Sequence, residues 1–411
     1  MTKTTTPVPA TNARARTIAW RNAVFCIFVL SGLCLASWVT RIPAVRDSLH
    51  LDTQDVGLLI LCLSVGAILG LIASAPVLAR IGARRGISAA LVTVAIGLLL
   101  VGFGTSAIHS VVVVGIGLAV LGFGNGSVDV MMNVEAATVE REIGKTIMPI
   151  MHGGFSVGTV AGAGIGTLAA ALNVDVSVHL AIVAVITIVG VIVAVRFIPR
   201  RAEVGDLVDS HAPKPAWRTR LRDNLSVWTD ATLILIGLVM LGMAFAEGSA
   251  NDWLTLAVVD GHHQTDPTGA FVYGIFVAAM TVGRFLGGPL VDRVGRVTTI
   301  RITASLAIVG LLLFILGGPL WVVIAGAILW GAGCSLGFPL GMSAAADDEK
   351  NAAARVSAVA MIGYCAFLVG PPVMGFLGQA FGLLNALYLV LALVVLSALC
   401  APALRSRSHQ S

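Results

Sequence analysis

Long apolar runs, repeated along the whole chain, are the feature that most limits what this sequence can fold into. A helix needs about 20 apolar residues to cross the hydrocarbon core of a bilayer. The composition agrees with many such helices, since 57% of the 411 residues are apolar, 11% are charged and the mean hydropathy is +0.95. We predict an all-α membrane protein with twelve transmembrane helices at residues 20–40, 55–79, 86–107, 110–133, 147–171, 177–198, 230–258, 268–291, 297–317, 319–343, 353–377 and 382–403.

Charge and cysteine placement argue against several other classes of protein. The net charge is +5, but the basic residues are spread over short connectors and form no patch for nucleic acid. The six cysteines stand singly inside apolar runs, without the spacing of a metal site. No GxxxxGK[ST] phosphate loop occurs, and no nucleophile and base can be assembled from the motifs. We therefore expect no enzyme activity, cofactor, bound metal or nucleic-acid partner.

The basic residues also predict how the chain is oriented. All but three of the 26 lysine and arginine residues lie at the termini or on the connectors of one face, and the three exceptions are Arg41, Arg46 and Arg284. Basic residues are retained on the cytoplasmic side. Both termini are therefore expected in the cytoplasm of a bacterial cell, with the chain in the cytoplasmic (inner) membrane and in contact with its lipids.

The chain divides into two similar halves. Residues 199–228 hold several arginines and no apolar run, so we interpret them as a cytoplasmic linker between six-helix bundles over 1–198 and 229–411. Three elements recur at nearly equal offsets: Arg80-Ile-Gly82 with Arg293-Val-Gly295 about 213 residues later, Gly122-Phe-Gly124 with Gly331-Ala-Gly333 about 209 later, and Gly158 with Gly370 about 212 later. Six helices per half make the repeats parallel, with a solute site expected between them near mid-membrane.

These motifs resemble those of the major facilitator superfamily over the whole chain. Its signature loop, approximately GxLaDRxGRR, is matched by Gly288-Pro-Leu-Val-Asp292-Arg293-Val-Gly-Arg296 and, with Ala79 in place of the acid, by the loop around Arg80. The resemblance implies the two-bundle major facilitator fold. It also implies that this loop latches helix ends on the cytoplasmic side.

Several segments are similar, more narrowly, to the fucose-permease-like branch of bacterial inner-membrane permeases. They are Trp38-Val-Thr-Arg41-Ile-Pro, Gly122-Phe-Gly-Asn125-Gly-Ser-Val-Asp129-Val-Met-Met-Asn133, His152-Gly-Gly-Phe-Ser-Val-Gly158, Glu247-Gly-Ser-Ala-Asn251-Asp252-Trp253 and Gly370-Pro-Pro. Sugar permeases of this branch are proton symporters with an acid in the fourth helix, and Asp129 matches it. They also use an acid in the first helix, whereas here that helix has none before Asp47.

Two acids inside predicted helices are the candidates for proton coupling. An ionised side chain at mid-bilayer costs at least about 2.5 kcal/mol, so an acid kept there has a partner or a function. Asp129 and Glu247 are placed in this way in the fourth and seventh helices. The alternative for each is a structural hydrogen bond to a neighbouring helix.

Other polar and aromatic side chains in the predicted helices are candidates for binding the solute. Amides donate and accept hydrogen bonds, and aromatic faces suit a sugar ring or an apolar solute. Packing is the competing interpretation for each of them. The set is Asn125, Asn133, His152, Asn251, Asp252, Trp38, Trp330 and Tyr364.

A third group consists of charged residues near predicted helix ends, which we interpret as gating residues. We expect Arg41 to face solvent or Asp47, and Arg284 to form a latch with Asp292. The group is Arg41, Arg80, Arg284, Asp292, Arg293 and Arg296.

The leading functional hypothesis is a secondary transporter that works by alternating access, as a proton-coupled permease for a sugar or another small polar metabolite. One chain holds both halves, so we expect a functional monomer. Proton-driven efflux of drugs or metabolites is the alternative, although the fifth helix lacks the Gly-Pro element usual in efflux members. A sensor that binds solute without moving it is a third hypothesis.

Overall fold

The computed structural model describes residues 10–144, 147–199, 229–345, 347 and 352–405. Within these ranges all regular secondary structure is helical. Except for residue 199, the predicted linker lies outside the described residues. The α-helices are α1 Ala10–Val39, α2 Ile42–Leu49, α3 Thr53–Ser106, α4 Val111–Ile143, α5 Met148–Ala171, α6 Val176–Ala194, α7 Ala231–Leu256, α8 Asp266–Leu316, α9 Leu320–Cys334, α10 Gly337–Ala345, α11 Ala352–Phe381 and α12 Leu383–Cys400.

Two of these helices are long enough to cross a membrane twice. α3 has 54 residues and α8 has 51, and each is interrupted by one glycine outside helical geometry: Gly82 at φ 76°, ψ 167° and Gly295 at φ 76°, ψ 166°. This backbone region is open essentially to glycine alone. Ten described helical segments have the length and composition of membrane spans. Counting α3 and α8 twice gives the twelve crossings predicted from the sequence.

Several element boundaries differ from those predicted. α4 continues to Ile143 instead of ending at 133, because the residues after Asn133 include good helix formers such as Glu and Ala. The predicted helix at 319–343 is divided into α9 and α10 around Ser335 and Leu336. The short α2 was not predicted, because its eight residues contain only four consecutive apolar residues, far fewer than a membrane span needs.

Close helix packing repeats between the halves, as the glycine offsets predict. A Cβ on Gly122 of α4 would lie 2.0 Å from the carbonyl oxygen of Leu63 in α3. A Cβ on Gly331 of α9 would lie 2.3 Å from the carbonyl oxygen of Phe276 in α8. Only glycine permits such backbone approaches, which are typical of helices packed in membranes.

The bundle has two ends that matter for function. We call the end that carries α2, residues 107–110, 172–175 and 262–265, and Gly382 the α2 end, and the end that carries Gly82 and Gly295 the kink end. The halves meet where α5 packs on α8 and where α3 packs on α11. At the α2 end, the backbone N–H of Thr53 donates to Gln379 Oε1 at 3.1 Å.

Candidate functional site

An ion pair links α7 to α8 inside the bundle. Arg284 Nη2 donates to Glu247 Oε1 at 2.8 Å, and the two side chains are 29% and 16% exposed. α7 therefore presents a carboxylate at the depth where α8 presents a guanidinium. Removing either partner of such a pair would leave the other charge uncompensated in the protein interior, which destabilises the fold.

The same guanidinium reaches the other half of the molecule. Arg284 Nη1 lies 3.5 Å from Ser156 Oγ in α5. His152, one turn before Ser156, is within electrostatic range of Arg284. Its ring packs edge-on against Phe28 of α1, with ring centroids 5.4 Å apart. Arg284 thus lies at the boundary between the halves, where relative movement of the halves would change its surroundings.

The predicted latch between Arg284 and Asp292 is wrong in this structure. The two residues are eight positions apart, or about 12 Å along a helix. Asp292 is exposed near the kink end, while Arg284 has a carboxylate beside it on the neighbouring helix. The sequence interval alone favoured Asp292, whereas the packing of α7 against α8 selects Glu247.

Asn251 and Asp252 continue the polar surface of α7 away from the ion pair. Tyr273 of α8, which is 1% exposed, donates its hydroxyl to Asn251 Oδ1 at 3.2 Å. Tyr273 is also within electrostatic range of Asp252 and Glu247. Sequence reasoning missed Tyr273. Its position eleven residues before Arg284, three helical turns away on the same face, was the signal that could have found it.

Asp129 lies in α4, in the interior of the N-terminal half. Asn133 Nδ2 donates to the Asp129 carbonyl at 2.8 Å and to its Oδ1 at 3.3 Å. Tyr364 of α11 is within electrostatic range of this carboxylate. Phe338 packs against Tyr364 with ring centroids 6.2 Å apart. Asp129 and Asn133 of the N-terminal half are therefore in contact, and Tyr364 of the C-terminal half interacts electrostatically with Asp129.

A further acid in α4 was missed by sequence reasoning. Glu135 is 7% exposed, and its Oε1 accepts a 2.8 Å hydrogen bond from Trp20 Nε1 of α1. The predicted helix ended at residue 133, so Glu135 was assigned to a connector. Helix-forming residues beyond the apolar run were the signal that α4 continues.

Three predicted solute-binding residues pack between helices in this structure. Asn125 accepts a 3.0 Å hydrogen bond from Ser31 of α1. Trp38 is 2% exposed and Trp330 is fully buried, with Phe276 and Phe314 each at a ring-centroid distance of 5.5 Å from Trp330. Their contacts are those of residues that hold helices together, which was the competing interpretation for each.

The predicted gating residues lie at both ends of the bundle. Arg80 and Arg293 are exposed at the kink end, next to Gly82 and Gly295. Arg296 forms an ion pair with Asp347, Nη1 to Oδ2, at 2.5 Å. This pair remains within the C-terminal half.

The prediction that Arg41 faces solvent or Asp47 is wrong. Arg41 is 4% exposed, and its Nη2 donates to the Val174 carbonyl. Burial lowers the pKa of Arg41, while the charges of Asp266 and Asp175 act in the opposite direction. Arg41 immediately precedes α2, and its buried side chain is directed to the connector between α5 and α6.

Comparison with known proteins agrees with this architecture. A family model described as Major Facilitator Superfamily matches residues 23–347 and 251–411. The chain is 31% identical over 392 residues to y4wD of Sinorhizobium fredii, described as an uncharacterized transporter, with 94% of this chain and 98% of that protein covered. It is 26% identical over 392 residues to the membrane protein MosC of Rhizobium meliloti, with 95% and 91% covered.

Two solved structures share the fold at low sequence identity. The nucleoside transporter NupG aligns with a TM-score of 0.69 at 13% identity, covering 95% of this chain and 98% of that one. A bacterial homologue of the human lysosomal transporter Spinster, inward-facing and unoccupied, aligns with a TM-score of 0.73 at 15% identity, covering 96% and 99%. At these identities the likeness concerns the fold alone.

Proposed function

Because the chain belongs to the major facilitator superfamily, and is therefore a multi-pass membrane transporter and not an enzyme, we propose that it is a proton-coupled permease for a small hydroxylated solute. It works by alternating access between bundles at 1–198 and 229–411, joined by a linker at 199–228. The observation that carries the proposal is the group of ionisable and amide side chains that both halves contribute around Arg284 and Asp129.

Proton coupling is assigned to Asp129 and Glu247. Asp129 is held only by neutral donors among the described residues, so uptake of a proton there removes a charge from the membrane interior without leaving a cation unpaired. Glu247 differs, because its protonation would release Arg284. The freed guanidinium has Ser156 of the opposite half within reach. One proton could in this way alter the contact between the bundles.

The polar groups favour a solute rich in hydroxyl groups. Such a molecule can exchange hydrogen bonds with three side chains of the C-terminal half, Asn251, Asp252 and Tyr364. His152 adds a ring nitrogen from the N-terminal half. The resemblance to sugar permeases supports a sugar, and the shared fold with a nucleoside transporter adds nucleosides to the classes worth testing.

We further propose that the kink end faces the cytoplasm of a bacterial cell and the α2 end faces outwards, in the cytoplasmic (inner) membrane. The basic residues Arg80, Arg293 and Arg296 lie at the kink end, consistent with retention of positive charge on the cytoplasmic side. Both termini then lie in the cytoplasm. The chain works as a monomer in contact with membrane lipids.

Ligand stabilisation and transport together test the proposal. Purified protein is screened by thermal shift against sugars, nucleosides and lipophilic cations, since a ligand at 100 times its Kd adds about 2.7 kcal/mol. A stabilising solute is then followed into proteoliposomes with and without an inward proton gradient. Accumulation driven by the gradient supports the permease. Stabilisation by lipophilic cations alone, with export on reversing the gradient, would replace it with the efflux alternative.

A further inference from the structure

An ion pair joins the two halves at the α2 end. Arg46 of α2 donates from Nη1 to Asp260 Oδ2, and from Nε to Asp47 Oδ1 at 2.7 Å. Arg46 is 15% exposed, Asp260 36% and Asp47 57%. One guanidinium is therefore shared by a carboxylate of its own half and a carboxylate of the opposite half.

The segment that carries Asp260 is the last turn of α7. Ala257–Gly261 is a π-helical turn that extends α7 beyond Leu256. Such turns occur at the C-terminal ends of helices. The same continuous helix holds Glu247, Asn251 and Asp252. α7 therefore connects the interior ion pair directly to the contact at the α2 end.

Backbone packing at the same end brings the halves close together. A Cβ on Gly57 of α3 would lie 3.0 Å from the Pro371 carbonyl oxygen and 3.1 Å from Gly375 Cα, both in α11. Ser64 Oγ donates to the Phe367 carbonyl at 2.9 Å two turns further along α3. The ion pair thus closes an end at which the two bundles already pack tightly.

We propose that Arg46 and Asp260 are positioning residues that lock the halves together at the α2 end and separate once in each transport cycle. Asp47 is the resting partner that keeps the Arg46 charge compensated while the lock is open. The proposal rests on alternating access as the proposed function. It adds that the strength of this lock contributes to the balance between the two states.

The test measures the α2 end directly and needs no solute. Spin labels are placed on Ile108→Cys and Leu316→Cys, which are 46% and 69% exposed and lie on opposite halves, in a background whose six native cysteines are replaced. Distances are measured in lipid nanodiscs. Asp260→Asn is expected to raise the ratio of long to short distances about fivefold, the effect of losing one coupling of modest strength.

Three further variants sharpen the result. Arg46→Asp combined with Asp260→Arg is expected to restore the parent distribution. Asp47→Asn removes the competing carboxylate and is expected to shift the distribution towards short distances. Asp347→Asn, which breaks an ion pair inside one half at the kink end, is the matched control and is expected to leave it unchanged.

Two results would overturn the lock. One is an unchanged distribution in both Asp260→Asn and Asp47→Asn; the other is an equal shift in the Asp347→Asn control. Failure of the proposed function is seen elsewhere, as a lack of proton-driven accumulation by the parent protein. A parent that does not transport but whose α2 end opens on Asp260→Asn would retain the lock and lose only the permease proposal.

Discussion

In the N-terminal half, Asp129 and Glu135 of α4 are held by the neutral donors of Asn133 and Trp20, whereas in the C-terminal half Glu247 of α7 is held by the Arg284 guanidinium. The long helices α3 and α8 repeat the same break, with nearly equal dihedral angles at Gly82 and Gly295. The interior charges do not repeat. A duplicated fold has therefore been given two chemistries: carboxyl groups that can gain a proton without leaving a cation unpaired, and an ion pair whose partners depend on each other.

The largest effect is expected from breaking the ion pair. Arg284→Gln leaves the Glu247 carboxylate without its cation and should lower the free energy of unfolding by about 3 kcal/mol, as for other buried pairs, and abolish transport. The midpoint of thermal unfolding in detergent measures the first effect. The double variant Arg284→Gln with Glu247→Gln has no unpaired charge and should be more stable than Arg284→Gln alone. The reverse order would show that the pair does not act as a unit.

Asp129→Asn tests the other half of the comparison. The amide keeps the size of the side chain and removes its charge, so we expect a normal unfolding midpoint together with loss of proton-driven solute accumulation. Exchange of labelled for unlabelled solute across the membrane, which needs no net proton movement, should continue. Accumulation at the parent rate would remove Asp129 from the coupling mechanism.

The two kink glycines should respond alike, because their dihedral angles agree to within 1°. Gly82→Ala and Gly295→Ala each place a Cβ in a conformation that costs about 1–3 kcal/mol. Nothing lies within 4 Å of a Cβ at Gly295, so backbone strain and not a clash is the expected cause there. Unfolding midpoints measured side by side check the equality. A lower unfolding midpoint in only one of the two variants would mean that the kinks have different roles.

Trp20→Phe should have a smaller effect, confined to the N-terminal half. It removes the hydrogen bond to Glu135 and should lower stability by about 1 kcal/mol, as for other hydrogen bonds between membrane helices. Glu135→Gln keeps an oxygen acceptor for Trp20 and should be nearly neutral. A large loss of stability in Glu135→Gln would show that the charge of Glu135 matters for folding, as that of Glu247 does.

The smallest effect concerns Asp230, the residue before α7. The Arg355 guanidinium, together with the Thr232 backbone N–H, holds the pKa of Asp230 below its usual value. Folding therefore favours the ionised form of Asp230. Its contribution to the free energy of unfolding is present above the ordinary carboxyl pKa and is lost as the pH falls through the lowered pKa of Asp230. Asp230→Asn should cost less than about 1 kcal/mol and flatten the acid side of the stability profile. An unchanged profile would argue against the contact.

The span count, the repeats and the helix breaks near Gly82 and Gly295 could be predicted because each depends on local sequence: the length of an apolar run, or a motif at a fixed offset. The partners of Arg284 and Arg41 could not, because they depend on which helix packs beside which at a given depth. Glu135 and Tyr273 were missed for a similar reason. Hydropathy does not distinguish a polar residue that faces a neighbouring helix from one in a connector.

The continuity of α7 has a mechanical consequence. At 1.5 Å per residue, the thirteen positions from Glu247 to Asp260 make a lever arm of about 20 Å, so a tilt of about 10° pivoting at Glu247 displaces Asp260 by about 3 Å. That is enough to separate a carboxylate from a guanidinium. Under the proposed mechanism, a single proton exchanged at Glu247 displaces the far surface of the protein without any helix having to unfold.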